Sequence, residues 1–527
     1  MSFLDLPLEI HQRIISCLLS NRDVAALSVQ CRILHSLCEM ATRKKYHRIS
    51  VSSGEEDIDK PFALLMDILK RPSLGNYVRH VECCTATSSH MDYKQVKSQR
   101  NLSNEEIDLV QKAVKKGGFT GLQVDRVVNM LMQRMEKTAT YGGYRHRESL
   151  GTFITQALTA ILIVVSPNVV SMALTHPSGL SRNHTIDFPL AQLLHRANAS
   201  PENIPYLCHL RSVYVINKND STWSDGRFYL PLDLSGCLRL FDNFLSIESV
   251  RVDIMEKDPN EELEFKEKYS NISKISIHHS SVGSLYLANL IWSCKTLRDF
   301  QYSIGGRASN DGGSPIFNPK AFIKVLCAHK ETLEILDVDA ESQIHIFDIV
   351  DEEERDHELN EYGSPFESGI SDEACTFYKS IWTHGGSLKE FVALKRLSLG
   401  INFLLYFAAG VSGEPYKKRE KLNLVDCLPN GLEYLCVRGY QKGENEEHDE
   451  QMDALMTFYK SGSSQLQELK GIDELIPNAE VVRDPDNDDH LLWSLEELGA
   501  SNFDQNPFWL MHLNFPTLTR CLQTNLQ

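Results

Sequence analysis

The sequence predicts an α/β chain in which a short three-helix segment precedes an irregular series of parallel strands with helices outside them. Two patterns support this prediction. The first 48 residues contain three short apolar helical patterns, and the rest repeats a helix, a polar turn and a Leu-x-x-Leu/Val-x-Val strand. A single strand–helix unit cannot cover its own apolar face. Stacked units bury one another's leucines, which favours a parallel repeat.

The first predicted helix begins after Pro7, because a proline's missing N–H costs nothing in the first helical turn. Behind it, Ile10, Ile14 and Leu18 recur every four residues and form one apolar face. Asp23 is the expected N-cap of a second helix. A third helix is expected to place four apolar residues on one side, namely Ile33, Leu34, Leu37 and Met40.

The order of residues in this segment resembles an F-box. The matching residues are Leu6, Pro7, Glu9, Ile10, Ile14, Leu18, Asp23, Leu27, Val29, Cys31, Arg32 and Leu37. The match covers the whole module, under a tenth of the chain, and departs from many F-boxes where Leu34-His35 replaces an aromatic residue. The resemblance implies docking onto a Skp-type adaptor and, through it, a cullin-based ubiquitin ligase.

Transferred position by position, the resemblance implies six adaptor-binding residues. They are Leu6, Pro7, Ile10, Ile14, Leu18 and Leu27. If they bind a partner, their side chains are at least partly exposed in the isolated chain. The alternative is that they are ordinary core positions of a helical subdomain.

The predicted organisation has four parts. Residues 1–48 form the F-box, 49–167 a linker and the first helical and strand units, 168–475 the repeats, and 476–527 a C-terminal cap or tail. A strand is expected at Val78–Cys84, and the repeated strand pattern begins at Val169, Leu210, Ile247, Ile272, Leu297, Leu333, Leu394, Leu432 and Leu466. This resembles a divergent leucine-rich repeat solenoid, as in the F-box families of filamentous fungi. A non-repetitive α/β domain is the alternative.

Several connecting segments are also assigned from their patterns. Helices are expected at 104–116, 122–138 and 372–383, and loops at 51–59 and 140–149. Four acidic or glycine-rich insertions, at 256–267, 305–315, 349–371 and 443–453, are expected to be solvated excursions. Alternatively, they form an edge that receives a basic partner. The aromatic-rich C-terminal end is expected to cap the final repeat.

Charge argues against nucleic acid or an anionic membrane as a partner. The net charge is −17, with 71 acidic and 54 basic side chains. The basic run Arg43–Arg48 is interpreted as a solvated helix end. Residues 150–180 contain no charged side chain, but polar residues interrupt them, so a buried helix followed by a strand is expected rather than a membrane span.

The sequence contains no recognisable catalytic or metal motif. Its thirteen cysteines include no C-x-x-C pair, which favours reduced thiols in the cytoplasm or nucleus. The phosphate-binding loop, the G-x-S-x-G turn and H-E-x-x-H are all absent from the sequence. We therefore expect no cofactor and no enzymatic activity. The expected function is a substrate-recognition subunit that binds an unidentified protein target through its repeats; a repeat scaffold not coupled to ubiquitination is the alternative.

Overall fold

The strands of this chain pair in parallel, with the chain crossing back to begin each new strand beside an earlier one. The computed structural model describes residues 6–18, 21–53, 58–85, 93, 99–135, 143–176, 188–217, 227–258, 261, 268–309, 317, 319–344, 386–410, 423–462, 464–484 and 486. The chain divides into two compact units. The first comprises residues 1–222 and 236–249, and the second residues 223–235 and 250–527.

The first unit opens with four short helices rather than the predicted three. They are α1 (Leu8–Cys17), α2 (Asn21–Ser28), α3 (Arg32–Cys38) and α4 (Met40–Tyr46). The predicted third helix is interrupted at Glu39, whose φ of 44° lies in the left-handed region. Asp23 is not the N-cap, because α2 already begins at Asn21. It lies in the first turn, where its negative charge interacts favourably with the helix dipole.

Four strands of the first unit pair in parallel, in the order β1-β2-β3-β4. The strands and the helices between them are β1 (Arg48–Ser52), α5 (Asp59–Lys70), β2 (His80–Cys84), α6 (Asn104–Lys116), α7 (Leu122–Met132), α8 (Gly143–Val164), β3 (Ser171–Thr175), α9 (Pro189–Ala199) and β4 (Ser212–Ile216). A 3₁₀ helix, Pro72–Tyr77, precedes β2.

The elements after residue 222 are again a mixture of strands and helices. They are β5 (Leu230–Leu232), α10 (Leu234–Leu238), β6 (Ser249–Asp253), β7 (Met255–Lys257), β8 (Lys274–His278), α11 (Ser284–Ser293), β9 (Asp299–Ser303), α12 (Pro319–Leu326), β10 (Ile335–Asp339), β11 (Arg396–Gly400), α13 (Ile401–Ala409), α14 (Leu424–Cys427), β12 (Tyr434–Arg438), α15 (Glu446–Ser461) and β13 (Glu468–Lys470). In the second unit the strand order is β6-β8-β9-β10-β11-β12-β13, and β5 pairs with β7 separately.

One hydrogen-bond pattern recurs where the strands begin. Two successive N–H groups donate to one carbonyl, that of the residue just before the preceding strand. Thus the Lys395 carbonyl accepts from Glu433 at 2.8 Å and from Tyr434 at 3.0 Å. The accepting residues of this pattern are His47, Arg79, Val170, Arg211, Ser273, Arg298, Glu334, Lys395 and Glu433. Successive strands therefore begin with the same local geometry.

The leading apolar residue of each predicted strand is buried. These residues are Val78, Val169, Leu210, Ile247, Ile272, Leu297, Leu333, Leu394, Leu432 and Leu466, and none is more than 8% exposed. A strand follows each of them, so the predicted strands are confirmed. The chain is therefore an α/β protein with parallel sheets and a repeated strand unit.

Strand register sorts the side chains of the second unit onto two faces. Leu336, Leu397 and Leu435 are register partners on β10, β11 and β12, and all three are buried. The residues one position along, such as Asp337 and Ser398, point to the opposite face. One face of this sheet is therefore apolar core, and the other is polar.

Two predicted loops are partly regular structure, because a strand and a helix extend into them. The 443–453 insertion is mostly exposed, as expected, but it contains the start of a helix. Strand β1 begins at Arg48 and pairs with β2, where a loop from residue 51 was expected. Helix α8 already begins at Gly143. Helix α15 begins inside the 443–453 insertion, where the Asn445 side chain accepts hydrogen bonds from the Glu447 and His448 N–H groups at 2.9 and 3.2 Å.

Other predicted segments end elsewhere or lie outside the described residues. Helix α7 ends at Met132, short of the predicted residue 138. The 349–371 insertion, the 372–383 helix and the aromatic end beyond residue 486 lie outside the described part of the chain. Within the 256–267 insertion, Glu261 is buried rather than solvated. Its Oε1 accepts from the Ser235 N–H at 2.8 Å and from the Tyr286 hydroxyl at 2.9 Å.

The carboxylate of Glu341, which follows β10 in the same unit, caps helix α13. The two oxygens of Glu341 accept hydrogen bonds from the Asn402 and Phe403 N–H groups at 2.8 and 3.3 Å. Gly400 makes room for this contact, because a Cβ there would collide with the Glu341 carboxylate. Burial raises the pKa of Glu341. Its hydrogen bonds therefore compensate for a desolvation penalty.

Glu341→Ala is expected to destabilise the second unit by about 1–2 kcal/mol, because two N–H groups at the start of α13 lose their acceptor. Denaturant unfolding followed by circular dichroism measures this change. Glu331→Ala is the matched control, since Glu331 is exposed, and it should change stability by less than about 0.5 kcal/mol. Equal stabilities of the two variants would contradict the capping role.

Candidate functional site

The four N-terminal helices, here called the module, share a small core. Ile15, Val24 and Cys38 are fully buried, and Leu18 and Leu27 pack partly against them. A core of this size supports little independent stability. The module therefore depends on contacts with the rest of the first unit.

Arg43 of α4 holds the ends of two module helices together. Its guanidinium donates to the Cys38 carbonyl at 3.0 Å and to the Ile15 carbonyl at 3.3 Å. The side chain is 4% exposed and lies 4.8 Å from the centre of the Tyr77 ring. The basic run is thus not simply a solvated helix end, because Arg43 satisfies carbonyls that terminate α1 and α3.

Tyrosine hydroxyls connect the module to the helices that follow it. The Tyr46 hydroxyl donates to Asp67 of α5 at 2.8 Å, and the Tyr77 hydroxyl donates to Glu39 at 2.5 Å. Burial, followed by the bond to Glu39, raises the pKa of Tyr77 to about 12. These bonds attach one side of the module to the rest of the first unit. They do not involve helix α1.

The six predicted adaptor-binding residues are all at least partly exposed. Pro7, Ile10 and Ile14 are exposed, whereas Leu6, Leu18 and Leu27 are half-buried. The exposure expected of a docking surface is therefore present in the structure. Leu18 and Leu27 face the module core rather than pointing freely outward.

Helix α1 buries a different stripe from the one its apolar periodicity suggests. His11 and Ile15 face inward, at 3% and 2% exposure, and one position earlier Ile10 and Ile14 face outward. Residues four apart lie above one another on a helix, so Ile10 and Ile14 form a continuous apolar stripe. A solvent-facing stripe of isoleucines beside a buried histidine is unusual for a helix that serves only as core.

The structure adds three exposed apolar residues that the site prediction did not include. They are Leu8, Val29 and Ile33, at 50%, 76% and 56% exposure. Ile33 had been expected to face inward with Leu34, but only Leu34 is buried. Together with Ile10 and Ile14 these residues are called the module surface. Half of the large apolar side chains exposed in the described residues belong to it. Such a concentration favours a protein contact.

The polar sheet face of the second unit is a second candidate surface. Its arginines are already engaged. Arg438 donates to Asp337 at 2.8 Å, and Arg251 donates to Asp253 at 3.2 Å. Arg396 lies 4.3 Å from the centre of the Tyr434 ring. Because carboxylates neutralise two of these cations, the described part of this face does not form an arginine cluster suited to a phosphate group.

Among the described residues, no group of three or more His, Cys, Asp or Glu side chains is arranged to hold a metal ion. The described cysteines are free thiols. No helix within the described ranges is long and apolar enough to cross a membrane. Models of known protein families do not match this chain, and a comparison with curated proteins likewise finds no match.

Two neighbouring histidines lie at the junction of α4 with the sheet, where His80 is buried and His47 is half-buried. The His47 and His80 rings lie edge to face, with their centres 4.7 Å apart. His80 Nδ1 lies 2.6 Å from Ser171 Oγ. Burial lowers the pKa of His47 to about 4 and that of His80 to about 3, with nearby cationic groups adding to the effect. Both imidazoles are therefore neutral at pH 7.

Acidification is expected to destabilise the first unit between pH 6.5 and 4. The unfolded chain takes up a proton on His80 near pH 6.5, whereas the folded chain does not until about pH 3. Stability is therefore retained above pH 6.5 and lost as the pH falls, by roughly 3 kcal/mol at pH 4. His80→Asn should flatten this slope when unfolding is measured across the range. His209→Asn is the control, and a slope unchanged by His80→Asn would contradict this assignment.

Proposed function

We propose that this protein is a non-catalytic substrate-recognition subunit of a Skp–cullin–F-box ubiquitin ligase. In this proposal the module docks a Skp-type adaptor, and the parallel repeats, as divergent leucine-rich repeats, bind a target protein. The complex would act in the cytoplasm or nucleus, where thiols stay reduced. The subunit's contribution would be to hold its target at high effective concentration near the ubiquitin carrier.

The observation that supports docking best is the outward-facing Ile10–Ile14 stripe on α1. Both positions belong to the F-box resemblance, and both are exposed although the neighbouring Ile15 is fully buried. Fully burying an isoleucine is worth about 1.5–3 kcal/mol, and Ile10 and Ile14 still expose 42% and 36% of their surface, so covering each contributes about 0.5–1 kcal/mol. Two adjacent isoleucines can therefore contribute substantially to one interface.

The repeats support the target-binding half of the proposal. Their polar face combines charged, amide and aromatic side chains, which suits recognition of a protein surface rather than a buried cofactor. This face alone is equally compatible with a scaffold that binds a partner without delivering it to ubiquitination. The two functions differ only in what the module captures.

The Ile10→Asp, Ile14→Asp double variant is expected to reduce capture of a Skp-type adaptor at least tenfold, because two buried carboxylates would replace two apolar contacts. Pull-down from cell extract, with immunodetection of adaptor and cullin, measures this. Leu122→Asp is the matched control, since Leu122 is 86% exposed on α7, outside the module.

Adaptor capture that survives the double variant would overturn the docking assignment. Capture of the adaptor without a cullin would favour the scaffold. Circular dichroism of each variant checks that a lost interaction is not lost folding, and both isoleucines are exposed enough that the helix should persist.

A further inference from the structure

After β13 the chain turns back across strands that it has already formed. Residues 476–482, here called the strap, contain no helix or strand. They contact Gly439 after β12, then Asp339 and Ser342 at the end of β10, and then Gly305 after β9. The strap thus lies along the carboxyl ends of these strands. It belongs to residues 476–527, which are expected to form a C-terminal cap or tail.

The strand ends bind the strap mainly through its backbone. The Gly439 N–H donates to the Ile476 carbonyl at 2.8 Å. The Ala479 N–H donates to Asp339 Oδ1 at 2.9 Å, and the Ala479 carbonyl accepts from Ser342 Oγ at 3.1 Å. These contacts fix an extended chain without selecting a particular side chain at position 479.

Two glycines allow this close approach. A Cβ at Gly305 would lie 2.7 Å from the Glu480 carbonyl oxygen, and a Cβ at Gly439 would lie 3.0 Å from the Asn478 amide carbon. Both glycines also have positive φ, 92° and 67°, which other residues rarely adopt. The strand ends therefore form a groove shaped for a passing backbone.

Two apolar side chains, six residues apart, anchor the strap. Ile476 and Val482 are 8% and 3% exposed, and Val482 packs against Ala308 and Phe228. Between the anchors, Glu480 faces solvent. The Asn478 Oδ1 is buried without a hydrogen-bond partner among the described residues, which is unfavourable. The strap is therefore an imperfect occupant of its groove.

We propose that the carboxyl ends of β9, β10 and β12 form a binding groove for an extended peptide with two apolar residues six positions apart, and that the strap occupies this groove in cis until such a peptide displaces it. The strap belongs to no strand ladder, so it can open without unfolding the sheet. Naming a ligase target as the displacing peptide rests on the function proposed above, whereas the groove itself does not.

A labelled synthetic peptide of residues 474–486 tests the groove directly. Fluorescence anisotropy compares its binding to the full-length wild-type chain and to a full-length Ile476→Ser, Val482→Ser variant. The tethered strap competes at high local concentration in the wild type. We expect saturable binding to the variant, at least tenfold tighter than to the wild type. Absence of saturable binding to the folded variant, or equal affinities, would overturn the proposal.

Two changes test whether the peptide occupies the described site. A peptide with Ala479→Pro lacks the N–H that donates to Asp339, and its affinity for the opened variant should fall at least tenfold. Ser342→Ala in the opened variant should weaken the normal peptide several-fold. A proline peptide that binds as tightly as the normal one would show binding elsewhere and contradict the proposed groove.

Hydrogen exchange on the unmodified chain gives a second test that needs no folded variant. The Ala479 amide should exchange at least a hundredfold faster than the amides of β10 and β12, because the strap opens locally. Equal protection would make the strap a permanent part of the sheet and overturn displacement. Adaptor capture does not involve the strap, so either result leaves the test of the docking function separate.

Discussion

The architecture depends on one constraint, the pairing of parallel strands. Each new strand must place its first N–H groups on a carbonyl of its neighbour, and a buried apolar residue two positions earlier fixes it there. The intervening chain is much less constrained, because the free-energy cost of closing a loop grows slowly with its length. The start of β9 follows that of β8 by 25 residues, and that of β11 follows β10 by 61.

The same constraint explains why the module differs from the rest of the chain. Its helices have no ladder to join and only a small shared core, so Arg43 holds two of them together and two tyrosine hydroxyls connect them to the rest of the first unit. Those contacts occupy one side. The Ile10–Ile14 stripe remains exposed to solvent. Exposed apolar stripes favour aggregation unless a partner covers them. The proposed docking function gives this stripe a physical purpose.

Polar groups in the second unit are mostly committed to the protein itself. Arg438 is neutralised by two aspartates, and Glu341 caps a helix. Burial raises the pKa of Asp299 to about 6, and its carboxyl accepts from the Gln301 amide at 3.0 Å. The strand ends differ because there Asp339 also binds a backbone N–H that no strand supplies. This is why the strap groove, proposed to bind an extended peptide, differs from the remaining polar face.

The strands could be predicted from the sequence, because the leading apolar residue must be buried and the side chains that follow it alternate between the two faces of the sheet. The sequence also located the start of α1 after Pro7 and the buried helix within the uncharged residues 150–180. Tertiary structure alone decided the rest. The left-handed turn at Glu39, the rotation of α1 that buries Ile15 instead of Ile10, the burial of Glu261 and the path of the strap all depend on neighbours distant in sequence. Local periodicity contains no information about such neighbours, so these features could not be predicted from it.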